Sequence, residues 1–129
     1  IPKSVIKLNL PKLHTCKGTF GNSDVGYSKM LELRVPSLTT ITNEKVFYYL
    51  TMLHVLELPN HFAYSLDLAS MSFLKHDCVI DIFNKMADLT NTDKAYSLRL
   101  YETVYDKLSE EELSIARNKG WTIIRGRKR

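Results

Sequence analysis

The sequence predicts an α/β fold: a leucine-rich-repeat solenoid whose copies each lend one strand to a single parallel β ladder, closed by a helical C-terminal cap. Three observations predict it. A phrase of alternating apolar and polar residues ending in proline occurs three times, at spacings of 25 and 23 residues, the period of a leucine-rich repeat. Each copy reads as a half-buried strand followed by a return segment. Beyond Ser65 the pattern becomes strand then amphipathic helix, which suits a unit covering the open apolar end of a stack.

The middle copy is the clearest. In Met30 to Phe47, Leu31, Leu33 and Val35 alternate with Glu32 and Arg34, and Pro36 ends the strand because proline has no N–H for a ladder. Leu38 and Ile41 follow at a spacing of three, and Val46-Phe47 close the unit. The first copy, Ile6 to Cys16, lays Leu8, Leu10, Pro11, Leu13 and Cys16 on Leu33, Val35, Pro36, Leu38 and Ile41. The third is Val55-Leu56-Glu57-Leu58-Pro59. Ile1 to Val5 read as the strand-ending half of a further unit, so the repeats of residues 1–64 are expected to be truncated at the N-terminus. Gly18, Gly21, Asn22, Ser23 and Gly26 mark turns between the first two copies. After Ile41, Asn43 can cap one helical turn with Phe47, Leu50 and Met52 inward.

Residues 65–129 are expected to form the cap module, with two helices and a basic tail. Ser65-Leu66-Asp67-Leu68 alternates as a strand only ten residues after Leu56. Asp77 to Leu89 reads as a helix with Val79, Ile82, Phe83, Met86 and Leu89 in one apolar stripe, N-capped by His76 or Asp77. Ser97 to Tyr101 is a second strand. Ser109 and Glu112 form a capping box that opens a helix over Glu110 to Lys119, with Leu113 and Ala116 inward and Gly120 as a left-handed C-cap. Trp121-Thr122-Ile123 makes a last strand, 23 residues after Leu98-Arg99-Leu100.

Composition narrows the function. A chain of 129 residues, 44% hydrophobic and 25% charged, supports one domain with a core. No apolar run approaches the ~20 residues of a membrane span. The net charge of +4 owes much to Arg125-Gly126-Arg127-Lys128-Arg129, which carries four positive charges. That tail could touch nucleic acid without specificity, but no basic stripe interleaved with aromatics accompanies it, so nucleic acid is not the expected partner. Cys16 aligns with Ile41 and reads as a small buried residue. Cys78 opens a helix, and the pair resembles neither a disulfide framework nor a metal clip. His14, His54, His61 and His76 lack metal-ligand spacing, and Gly18 to Gly21 lacks the Lys-Ser/Thr of a phosphate loop. Asp77, Asp81 and Glu110-Glu111-Glu112 serve helix N-termini. No cofactor and no catalysis are expected.

The repeat phrase resembles the BspA-like leucine-rich repeats of bacterial surface proteins, with the pattern LxxLxLPxxLTxIxxxAF. Leu31 to Ile41, continuing to Val46-Phe47, fits it with a one-residue insertion. The later phrases are similar to the module that often ends such arrays: Ser65-Leu66-Asp67-Leu68, Met86-Ala87-Asp88-Leu89-Thr90, Ser97-Leu98-Arg99-Leu100, Leu108 to Glu112, Ala116 and Lys119-Gly120-Trp121-Thr122. The likeness spans nearly the whole chain; the glycine-rich segment and the basic tail depart from it. It implies a right-handed solenoid and a non-catalytic module for adhesion or attachment. The location implied is extracellular, at a bacterial cell surface, or on a phage particle, with a protein or glycan partner. A spacer or capping subunit docked to neighbouring subunits is the alternative.

Binding in such a fold belongs to the ladder. The residues between the inward leucines would line its concave face: Lys7, Asn9, Glu32, Arg34, Val55, Glu57, Asp67, Arg99, Tyr101 and Thr122. By register Lys7 lies beside Glu32, and Arg34 lies between Asn9 and Glu57. Such cross-strand charge pairs are worth about 0.2–1 kcal/mol each, so the same residues can also satisfy one another.

Overall fold

The computed structural model describes residues 7–20 and 29–126. The expected start of a truncated repeat at Ile1 to Val5, most of the glycine-rich segment and Arg127 to Arg129 lie outside the described residues. The first repeat phrases pair as their spacing dictates. β1 (Lys7–Asn9), β3 (Glu32–Arg34) and β5 (Val55–Glu57) form a parallel sheet with Leu8, Leu33 and Leu56 side by side. Behind them β2 (Thr15–Cys16) pairs with β4 (Thr40–Ile41), setting Cys16 against Ile41. The inward residues Leu33, Val35, Leu38, Leu56 and Leu58 are 0% exposed.

The single ladder of a leucine-rich-repeat solenoid is not what the chain builds. Among the described residues eight short strands fall into three separate parallel sheets, β1-β3-β5, β2-β4 and β6-β7-β8, with three helices. The first sheet ends at β5. A parallel neighbour needs a crossover of a dozen or more residues, and the link from Glu57 to β6 (Leu66–Leu68) is shorter than that. Helix α1 (His76–Lys85) takes the vacant edge instead. Lys75 N–H donates to the His54 carbonyl at 2.9 Å, and the Cys78 thiol sits on both the N–H and the C=O of Leu56. Strand β6 starts a new sheet beside the return segment of the earlier unit, where Asp67 N–H reaches the Glu44 carbonyl at 2.8 Å and Ser70 Oγ donates to the Tyr48 carbonyl.

In the third sheet β7 (Ser97–Leu100) lies between β6 and β8 (Thr122–Arg125). Leu66, Leu98 and Ile123 stand in one row, so the last strand is two residues further along than the expected Trp121-to-Ile123 alignment. A shift of two keeps every side chain on its face. Trp121 instead packs on Phe62 and Tyr96, and its Nε1–H donates to the Ala87 carbonyl at 2.8 Å. Gly126, counted with the tail in the sequence, belongs to the body. It is buried, its N–H meets the Leu100 carbonyl at 2.6 Å, and a Cβ there would stand 2.7 Å from that oxygen.

Among the described residues the cap region holds three helices rather than the expected two. The short α2 (Glu102–Asp106) follows β7 directly. The N-cap position of α1 falls on Lys75, without a side-chain cap bond, rather than on the expected His76 or Asp77, and the helix ends at Lys85, before Met86 and Leu89, because tertiary bonds claim the backbone there. Met86 bridges Phe62, Ala87 N–H reaches the Phe62 carbonyl and Leu89 N–H the Lys119 carbonyl. The last turn of α1 is closed from outside: Lys119 Nζ donates to the carbonyls of Phe83, Asn84 and Met86 at 2.9, 2.9 and 3.2 Å. Helix α3 (Glu110–Arg117) carries the predicted capping box of Ser109 and Glu112, and Gly120 beyond it has φ +87°. The turn after Ile41 makes no α-helix. Asn43 accepts from Lys45 N–H, Phe47 and Leu50 are buried, and Met52 points outward. Among the described residues, no helix is long and apolar enough to cross a membrane.

Candidate functional site

The ten residues expected along one ladder do not lie on one sheet. Lys7, Asn9, Glu32, Arg34, Val55 and Glu57 lie on the first sheet; Asp67 and Arg99 lie on the third. Ile124, not Thr122, is the neighbour of Arg99, and Thr122 stands beside Ser97. Tyr101 lies past the end of β7, as the residue that starts α2.

On the first sheet the charges engage one another. Lys7 Nζ is 4.0 Å from Glu32 Oε2, which is 4.0 Å from Arg34 Nη2. Arg34 Nη1 donates to Glu57 Oε1 at 3.1 Å. Glu57 Oε2 lies 3.7 Å from Lys85 Nζ on α1, and Lys85 lies 3.2 Å from Asp81. Signs alternate along this chain of six side chains. Its partly exposed pairs are each worth about 0–1 kcal/mol, and together they tie three strands to the helix that ends the sheet.

A different surface carries an exposed aromatic ring. Phe73 is 51% exposed and Met52 37%, the two large hydrophobic side chains that face solvent among the described residues. Phe73 stacks on His54 with ring centroids 5.7 Å apart and planes 9° from parallel. The His54 Nδ1 is 2.8 Å from the Met52 carbonyl, so the patch is fixed to the end of the loop before β5. Beside Phe73 opens a cleft of about 250 Å³, lined by Ser72, Leu74, Lys75, His76, Val104 and Lys107. The turn leading into α1 supplies one wall, and α2 with its cap supplies the other.

The rim is held by a side-chain hydrogen bond between two helices. His76 Nε2 and Glu112 Oε2 are 2.7 Å apart, joining α1 to α3. The Ser109 N–H, and then the His76 bond, hold the Glu112 carboxyl below the ordinary glutamate range. Asp106 is likewise held low by the guanidinium of Arg125, which it meets at 2.8 and 2.9 Å, and Glu102 lies 3.7 Å from the same group. Burial pushes the Cys78 thiol up to about 11 and also raises Cys16. Both cysteines are free. Each of these shifts comes from a cap, an ion pair or plain burial. No group of three or more metal-ligating side chains occurs among the described residues.

Phe73 is not among the residues expected on the binding face. Its signal was an apolar residue in Ser72-Phe73-Leu74-Lys75 that fits neither the alternation of β6 nor the stripe of α1. Helix α2, which brings Val104 and Lys107 to the cleft, had no signal of comparable strength. Compared with known proteins, the chain matches no family model, no curated protein and no solved structure.

Proposed function

We propose that this chain is a non-catalytic binding module that attaches to a protein partner through the Phe73 cleft. The carrying observation is the exposed Phe73, stacked on His54, at the mouth of a cleft that Leu74 and Val104 line together with Lys75 and Lys107. Solvent-facing aromatic groups clustered beside a concavity are the usual anchors of protein recognition. The perturbed titratable groups support recognition over chemistry, because each owes its shift to a structural contact. The ladder face supports it less well, since its charges already satisfy one another. Kinship with the BspA-like surface proteins, carried by the phrases of residues 65–122, belongs to the same proposal. It directs the attachment role to a bacterial cell surface or a phage particle.

The test is selection of binders from a displayed random-peptide library on the wild-type chain and on Phe73→Asp. The reading expects clones that bind wild type and not the variant, while both proteins melt alike. Clones that bind the two equally would remove the cleft from the account.

A further inference from the structure

Resting on that reading, we infer that the Phe73 cleft takes an acidic peptide segment anchored by one large apolar side chain. Size sets the anchor. A space of about 250 Å³ lies below the ~300–1,000 Å³ of clefts that enclose small-molecule ligands. It accommodates one side chain, with the rest of the ligand lying across the rim. Phe73, Leu74 and Val104 make the apolar lining against which that side chain would pack.

Charge sets the rest of the ligand. Two ammonium groups, Lys75 and Lys107, flank the cleft, and among the described residues neither enters an ion pair. Of the acidic groups on the flanking helices, Glu112 is engaged by His76 and Ser109 and Asp106 by Arg125, while Asp77 stands in the first turn of α1, outside the lining of the cleft, where it complements the helix N-terminus. The lining of the cleft thus carries two lysines and no carboxylate, beside an exposed aromatic ring. Carboxylates on either side of an apolar anchor complement that arrangement. A nucleic-acid strand would also offer a flat ring and negative charge, but the cleft presents two lysines rather than a basic track following a backbone, and one face of Phe73 is already covered by His54.

The experiment sequences the Phe73-dependent clones from the displayed library and measures their peptides by fluorescence anisotropy at two salt concentrations. The inference expects enrichment of Asp and Glu around a single aromatic or aliphatic residue. It also expects binding that weakens with salt and a loss of roughly tenfold in the double variant Lys75→Glu, Lys107→Glu. Neutral or basic Phe73-dependent sequences would overturn the acidic partner and leave the cleft as the binding site. An absence of any Phe73-dependent sequence would overturn both. A single-stranded ten-nucleotide uridine oligomer that displaced the peptides and bound more tightly than they do, again through Phe73, would replace the peptide with nucleic acid.

Discussion

The thiol of Cys78 occupies the place of a neighbouring strand against Leu56. The Leu56 N–H donates to Sγ at 3.2 Å, and Sγ lies 3.4 Å from the Leu56 carbonyl oxygen as its donor. In the parallel sheet the outward-pointing peptide groups of β5 would otherwise meet a further strand. One helix side chain satisfies both and ends the sheet.

Cys78→Ala removes that partner and leaves the buried Leu56 peptide groups unmet. The expected cost is about 1–3 kcal/mol, read as a lower urea midpoint at unchanged slope. Cys78→Ser should recover part of the loss, since a hydroxyl can both donate and accept.

The same thiol makes stability fall in alkali. Its pKa is about 11 in the folded chain against an ordinary value of 9.0. The contribution is therefore complete below pH 9 and disappears as pH rises through 11. Tyr64, whose hydroxyl burial also pushes upward, adds a decline of the same sign. The fair reading is the difference between wild type and Cys78→Ala from pH 8 to 11, which should shrink as pH rises.

At the acid end Glu112 works in the opposite sense. Its folded pKa is depressed, by the Ser109 N–H first and by His76 second. The stability it contributes is present above its ordinary value of 4.5 and is lost as pH falls through the folded one. Ser109→Ala should cost about 1 kcal/mol. Glu112→Gln should flatten the acid limb of a thermal-melt series from pH 6 to 3.

Lys119 closes helix α1 from a distant part of the chain. Its ammonium meets three carbonyls, at Phe83, Asn84 and Met86, where a cation also complements the helix dipole. Lys119→Met keeps the stem and deletes the charge. A loss of about 1–2 kcal/mol is expected, with faster amide exchange confined to the last turn of α1.

Much of this architecture was legible because repeat spacing and caps are local. The offsets of 25 and 23 residues set Lys7 beside Glu32 and Arg34 beside Glu57, as the sheet shows. Ser109 and Glu112 announced their capping box by spacing alone. The illegible parts depend on distant partners. Met86 and Leu89 continue the apolar stripe of α1, yet Phe62 and Lys119 claim the backbone there. The slip of Trp121 by two residues leaves the alternation intact, so no pattern distinguishes the two registers. That a cysteine would end the first sheet, splitting the expected concave face, is visible only once α1 is laid against β5. The cleft needs α2 beside the turn before α1, a meeting the sequence does not advertise.

The central claim is that partners dock at Phe73 rather than on the charged ladder. The most direct measurement is an amide-resolved NMR titration of the labelled chain with a peptide selected on it. The account predicts shift changes concentrated at Ser72 to His76, Val104 and Lys107, abolished by Phe73→Ala, whose own stability should stay within about 0.5 kcal/mol of wild type. Shifts centred on Glu32, Arg34, Val55 and Glu57, unchanged by that substitution, would contradict it.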